Sequence, residues 1–383
     1  MLPLMATAAA LARDLVRSRG RSLRNAWIDR AMLKAMRGRR WIVFDSDDWG
    51  GQRMPSRDVF NQLLSVDLIS GESAYDRDTL ESADDLTALA EVLAGTTGAD
   101  GGTAVFSAYC NPANPDFDAI RRSAFSAYHF EPFTTTLARR GDEVETMAAW
   151  RQAMHAGVIV PQYHGREHLQ VQAWLEALAA SDRVRTGFDL GYYSVAVPSA
   201  PEVLKGFRAA NFFRRADELG ALAEIIRSGA DCFRNVFGKP AEIYCPTNNV
   251  FHPALYAAVR EAGCRSVVRH MRNKTPDGLG GLKTLWGPGP VAVAGLAWHG
   301  RNATFEPVQG FGVDHALAGI ASAFAWGIPA IISTHRVNYV GGIDVAQRDR
   351  GLFALRELLG VIRRRWPEAC YVSSARLSEC TES

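Results

Sequence analysis

Several features that would place a chain in a large class are missing here. No two cysteines stand in C-x-x-C spacing. Cys110, Cys232, Cys245, Cys264, Cys370 and Cys380 are scattered, which argues for free thiols in a reducing compartment and against a disulfide framework or a cysteine-bound zinc. Net charge is scarce: the formal value is +2 over 383 residues, too small to argue for nucleic acid. No basic region precedes the apolar opening, residues 1–12, and arginines follow it. That is a poor secretory signal and sets the expectation of a cytoplasmic protein. No internal repeat, low-complexity segment or long linker follows residue 40. One uncharged run, residues 316–334 (ALAGIASAFAWGIPAIIST), is long enough to span a bilayer. Gly327 and Pro329 divide it, so it reads as a buried helix, a stop and a short strand.

What is present is an ordinary core-forming composition, 47% hydrophobic and 22% charged. The length suits two or three domains, or one large barrel. Charge is uneven: residues 1–40 hold ten basic residues against Asp14 and Asp29, an excess of eight, so the remainder carries −6. Trp27, Ile28, Ala31, Met32, Ala35 and Met36 recur at helical spacing. Residues 1–39 therefore read as a basic amphipathic segment, which either lies on an anionic membrane, at its inner face, or packs on the domain formed by residues 40–383. Cosedimentation with anionic vesicles separates the two.

The chemical landmark is WIVFDSDDWG, residues 41–50. Apolar residues 41–44 run directly into Asp45, Asp47 and Asp48, then Gly50. A continuous apolar run closed by a turn signal describes a strand covered on both faces. In such folds ligands sit beyond the carboxyl ends of the strands. Neighbouring carboxylates repel unless a cation or a shared proton compensates; a solvated acidic turn is the plain alternative. Further strands are expected at 104–110, 158–164, 189–195, 242–246, 266–269, 291–298, 329–334 and 370–374, with helices between them, as over 203–229 and 345–365. Such alternation argues for parallel crossover units in a doubly wound sheet or a barrel, and polar residues at several strand ends favour the barrel.

Three more strand ends carry chemistry. Tyr163-His164-Gly165-Arg166-Glu167-His168 lies where a strand is expected to pass into a helix. Histidines four apart on a helix face one way, and two imidazoles with one carboxylate form a catalytic zinc ligand set that also suits other divalent metals. Two surface histidines are the alternative. Ile331-Ile332-Ser333-Thr334-His335-Arg336 puts a histidine beyond a late strand, where barrel active sites gather. Tyr244-Cys245-Pro246-Thr247-Asn248-Asn249 offers backbone amides to a ligand, or is an ordinary Pro-Asn turn.

In this order, DSDDWG, HGREH, the CPTNN turn and STHR resemble the motifs of the metal-dependent polysaccharide deacetylases, a carbohydrate esterase family also called chitooligosaccharide deacetylase-like. The resemblance covers residues 40–340 as an ordered motif series. It implies a distorted, seven-stranded (β/α) barrel. It implies a divalent metal, zinc first, held by Asp48, His164 and His168, with Asp47 as general base and His335 as general acid. The implied reaction is de-N-acetylation of a sugar in a polysaccharide or its lipid-linked precursor, as in exopolysaccharide or capsule biosynthesis. Oxyanion and substrate contacts are expected from Thr247, Asn248, Trp49 and Arg336, and Trp49, Tyr163, Phe251 and Tyr339 are candidates to stack on sugar rings. Three departures stand out. Trp49 is inserted between the aspartate pair and Gly50. Tyr244 stands where the family has the arginine that holds the base, leaving Arg269, Arg301 or Arg336 as substitutes. No counterpart is visible of the aspartate-tryptophan motif that supports the acid histidine. Two other readings remain: a glycoside hydrolase pairing Asp45 or Asp47 with Glu167 or Glu306, and a catalytically silent sugar-binding relative, which needs neither Asp47 nor His335.

Overall fold

Residues 41–44 form the buried strand their composition calls for. In the computed structural model, which describes residues 39–287, 291 and 294–382 together with Gly20 and Asn25, they begin β1 (Arg40–Trp49), whose apolar part is at most 9% exposed. The amphipathic segment expected over residues 1–39 lies almost wholly outside the described residues. Asn25 is buried, and its amide donates to Ser322 Oγ at 3.0 Å.

β1 organises the main sheet. It pairs in parallel with β12 (Ala330–His335) on one side, Ile42 lying opposite Ala330 and Asp47 opposite His335. Its other side pairs first with β13 (Ala369–Tyr371) and then with β2 (Phe106–Cys110). β5 (Ile159–Tyr163), β6 (Ile243–Tyr244), β7 (Ser266–Val268) and β10 (Ala297–His299) continue beyond β2, and β11 (Ala303–Thr304) flanks β12. All these pairings are parallel, so every carboxyl end opens on the same rim.

The two edge strands of this order are β10 and β11, and only Gly300, Arg301 and Asn302 separate them in sequence. Four peptide steps span at most about 15 Å, so the sheet must curl until its edges nearly meet. The result is a distorted (β/α) barrel with a seam bridged by the chain, which carries Arg301 across the gap. The main sheet has nine strands among the described residues, not seven. Eight of the expected strands have counterparts, although the one expected at 291–298 begins only at Ala297, and β11 was not foreseen. The expected strand at 189–195 is absent: the helix Asp182–Asp189 ends there and Gly191 turns the chain at φ 70°.

Helices cover the outside, including Ala83–Ala94, Glu143–His155, Leu219–Phe237, Val313–Ala325 and Val345–Arg365. The helix expected over 203–229 starts late, after turns, whereas that over 345–365 has its expected bounds. Gly351 lets the latter lie against the segment after β12: a Cβ there would come 1.8 Å from the Asn338 carbonyl oxygen. The uncharged run at 316–334 is a helix followed by β12, as read. Among the described residues no helix is long and apolar enough to cross a membrane. Two small antiparallel ribbons complete the structure, β3 (Ala113–Pro115) with β4 (Phe130–Pro132) and β8 (Arg272–Pro276) with β9 (Leu282–Trp286).

Candidate metal centre

A regular strand sends successive side chains to opposite faces, so Asp47 and Asp48 should not reach one site. β1 breaks the rule at its end. Its register against β2 shifts between Ser46 and Trp49, and Asp48 adopts φ 78°. This irregularity re-aims Asp48, as bulges do, and both carboxylates line one cavity of about 350 Å³. Gly50 follows with φ 75°, against the backbone oxygen of Asn111, where a Cβ would stand 2.5 Å away. The turn is left-handed and crowded, which only glycine accommodates at low cost.

His164 and His168 reach Asp48 from an irregular segment rather than from a helix. The helix begins only at Val171, and Gly165 takes φ 88°. The helical spacing argument was therefore wrong in its premise, although the rings do converge, their centroids 5.3 Å apart. Each Nε2 lies 3.5 Å from Asp48 Oδ1. Two atoms bound to one tetrahedral zinc at ordinary bond lengths stand roughly 3.4 Å apart, so the spacing is that of a shared cation. The donor set fits in three further ways. Asp48 Oδ1 is buried and has no hydrogen-bond partner. His164 Nδ1 faces the Cys245 carbonyl at 2.8 Å and must donate to it, which leaves Nε2 as the nitrogen a cation would take. Burial, with the His164 charge alongside, holds His168 at about 3 against the pull of Asp48, so His168 is neutral. Against burial, Cys245, Asp47 and Asp48 lift His164 well above its ordinary value, so cation binding there displaces a proton and weakens as pH falls. Arg53 occupies the second Asp48 oxygen at 3.1 Å.

Asp47 has its own clamp. Arg301 donates from both terminal nitrogens to the two Asp47 oxygens at 2.6 Å each, and from Nε to Asp45 at 3.0 Å. Among the three arginines considered, Arg301 thus takes the place left by Tyr244, whose hydroxyl is bonded to Asn211 in the core. Burial alone would raise both carboxylates, but Arg301, together with His299 at Asp45 and with His164 and His335 at Asp47, outweighs it: Asp47 is lowered and Asp45 falls to about 2. Asp45 is structural, fully buried between Arg301, His299 and Ser374.

His335 stands opposite Asp47 in the β1–β12 register, its Nε2 3.9 Å from Asp47 Oδ2. Glu306 binds its Nδ1 at 2.6 Å and is itself held by the Asn338 amide at 2.7 Å. Burial would lower the imidazole, but Glu306 chiefly, then Asp48 and Asp47, raise it to about 9. Glu306 therefore does for His335 what the missing aspartate-tryptophan motif was expected to do.

Other expectations need correction. Trp49 is fully buried, edge-on to Trp150 with Nε1 donating to Ser46, so it faces away from the cavity. Arg336 is fully buried on Asp78 and Glu81, under β1 rather than in the site. Thr247 is buried and accepts from the Ala210 amide, while Asn248, at φ 52°, does line the cavity. Tyr163, Phe251 and Tyr339 are core residues at 0% exposure and cannot stack on a sugar. The aromatic that does line the cavity is Tyr75, beneath Arg53 and edge-on to His335. Neither Tyr75 nor Arg53 sits in a motif, and nothing local in the sequence singles them out.

No protein-family model and no curated protein matches this sequence. Solved structures do. A putative polysaccharide deacetylase from Mycobacterium smegmatis superposes with TM-score 0.40 at 11% identity, covering 89% of this chain and 90% of that one. The peptidoglycan deacetylase PdaC from Bacillus subtilis gives 0.32 at 8%, covering 90% and 93%. The chain is similar to polysaccharide deacetylases. A 4-alpha-glucanotransferase from Thermococcus litoralis gives 0.43 at 14%, covering 89% of this chain, which spans 40% of that protein's length. Likeness this loose does not choose between chemistries.

Proposed function

We propose that this protein is a metal-dependent hydrolase that releases acetate from an N-acetylated sugar of a glycan. The observation that carries the reading is the division of labour at one strand end: Asp48 faces the Nε2 atoms of His164 and His168, while Asp47, one residue earlier, is held by Arg301 opposite His335. Asp48, His164 and His168 would hold a divalent cation, which would supply Lewis acidity at this point, lowering the pKa of a water toward about 7. Asp47, ionised and fixed in orientation by the guanidinium, takes a proton as water attacks the acetamide carbon. His335, protonated because Glu306 holds Nδ1, gives its Nε2 proton to the amine as the C–N bond breaks. The products are acetate and a free amino sugar. Asn248, at the cavity wall, is placed to contact the developing oxyanion.

The glycoside hydrolase reading loses its acids. Asp45 is sealed, Glu167 is buried and paired with Arg166, and Glu306 is engaged by His335 and Asn338. Two carboxyl groups must flank the scissile bond in most such enzymes, and among the described residues the acids lining this cavity are the adjacent Asp47 and Asp48. Acetate release from N-acetylated oligosaccharides, lost on chelation and restored by a divalent transition metal, tests the proposal. Reducing ends appearing in place of acetate would reject it.

Glu306→Gln provides a pH test. His335 must be protonated to act, so activity falls as pH rises through its pKa, about 9 or lower once a cation is nearby. Removing the Glu306 charge takes away what raises that pKa. The alkaline limb of kcat should therefore move down toward the ordinary histidine value near ~6.5, with acid-side activity much less affected. A variant whose alkaline limb stays in place would exclude His335 as the acid.

A further inference from the structure

The cations lining the cavity are not equivalent. Arg53 is engaged with Asp48 and Asp78, and Arg301 with Asp45 and Asp47. Arg208 lines the same cavity, half-buried, and makes no hydrogen bond or ion pair with any described residue. It also lines a neighbouring groove of about 450 Å³, and Asn248 is the other residue shared by the two spaces. Arg208 and Asn248 therefore stand where the two spaces adjoin. Lys274, exposed and without an ion-pair partner among the described residues, also lines the groove, as does Lys205, whose charge is offset by Glu202 at 3.8 Å. Withdrawing a guanidinium from water without a matching anion is unfavourable. Burial and the Arg53 charge both weigh against the charged form of Arg208. Tyr192 and Asp48 offset this only in part, Asp48 being taken by Arg53 and facing the two histidines.

We propose that Arg208 is a specificity residue, which receives a carboxylate or phosphate substituent lying next to the N-acetyl group that reacts. The proposal deepens the deacetylase reading and rests on it for the placement of the reacting amide. The planar fork of an arginine matches either oxyanion through two parallel hydrogen bonds. Lys274 adds longer-range attraction along the groove.

Calorimetric binding to the full chain separates the possibilities, using an N-acetylglucosamine disaccharide bearing a uronate on the neighbouring sugar, N-acetylglucosamine 1-phosphate, and the neutral counterpart of each. Wild type, Arg208→Ala and Arg208→Lys are compared, with thermal unfolding as the check on folding and acetate release measured in parallel. In wild type, one charged probe should bind about 10- to 100-fold more tightly than its neutral counterpart. Which probe shows the preference identifies the source of the anion. The charged-to-neutral ratio should collapse toward one in Arg208→Ala and fall several-fold in Arg208→Lys, which keeps the charge but not the fork. If Arg208→Ala does not fold, Arg208→Lys carries the test. Equal binding of charged and neutral probes, or a preference that survives both substitutions, overturns the proposal. A preference that depends on Arg208 with no acetate from any probe upholds the anion site and rejects the deacetylase reading instead.

Discussion

Asp47→Asn should lower kcat for acetate release by about 10²- to 10⁴-fold, the usual worth of a positioned general base. The effect should fall on the chemical step alone. The amide is isosteric with the carboxylate, keeps an oxygen toward Arg301, and leaves Asp48, His164 and His168 untouched, so bound metal should be unchanged when assayed on the same preparation. That separation matters because Asp47 and Asp48 are neighbours in sequence. Only the left-handed turn at Asp48, φ 78°, lets them act on one cavity with different partners. A variant within tenfold of the parent, or one that loses metal, would assign the base elsewhere.

Arg301→Ala should act on stability as well as on rate. Its guanidinium compensates two carboxylates that are otherwise sealed from water, Asp45 at 0% and Asp47 at 5% exposure. Removing one partner from a buried charge cluster costs about 3–5 kcal/mol, to be read as a lower denaturation midpoint at neutral pH. The sign of the pH dependence follows from the shifts. In the parent, Asp45 at about 2 and the lowered Asp47 lie below their unfolded values. They stabilise the fold above the unfolded carboxylate pKa, and that stabilisation fades as pH falls through the folded pKa. Without Arg301, burial raises the carboxylates, so the variant gains relative stability as they protonate. The gap between variant and parent should therefore narrow from neutral pH toward pH ~4. A gap independent of pH would mean that Arg301 stabilises by packing alone.

Much of the site was legible because parallel strands put their ends on one rim. Reading apolar runs followed by polar residues picked out His164, His168, His335 and the three carboxylates Asp45, Asp47 and Asp48, and the motif resemblance singled out the last two. The geometry behind the grouping was less legible. The histidine spacing suggested a helix, yet a loop turning at Gly165 delivers the rings. The partners of Asp47 and His335, Arg301 and Glu306, come from the chain between β10 and β12, where strands of two and three residues leave almost no periodic signal. Arg301 reaches Asp47 because it sits on the seam of the barrel, a property of closure and not of local sequence. Trp49 and Arg336 failed as site residues for a related reason. They adjoin catalytic residues in sequence, but Trp49 packs on Trp150 and Arg336 binds Asp78 and Glu81 in the interior.

The central claim is that Asp48, His164 and His168 form one metal site that the chemistry depends on. Elemental analysis of the purified protein after exhaustive dialysis, beside His164→Ala and His168→Ala, tests it most directly. One equivalent of a divalent transition metal per chain in the parent, and its loss in both variants together with acetate release, is the predicted result. A parent free of metal that still releases acetate, or variants that retain a full equivalent, would contradict it.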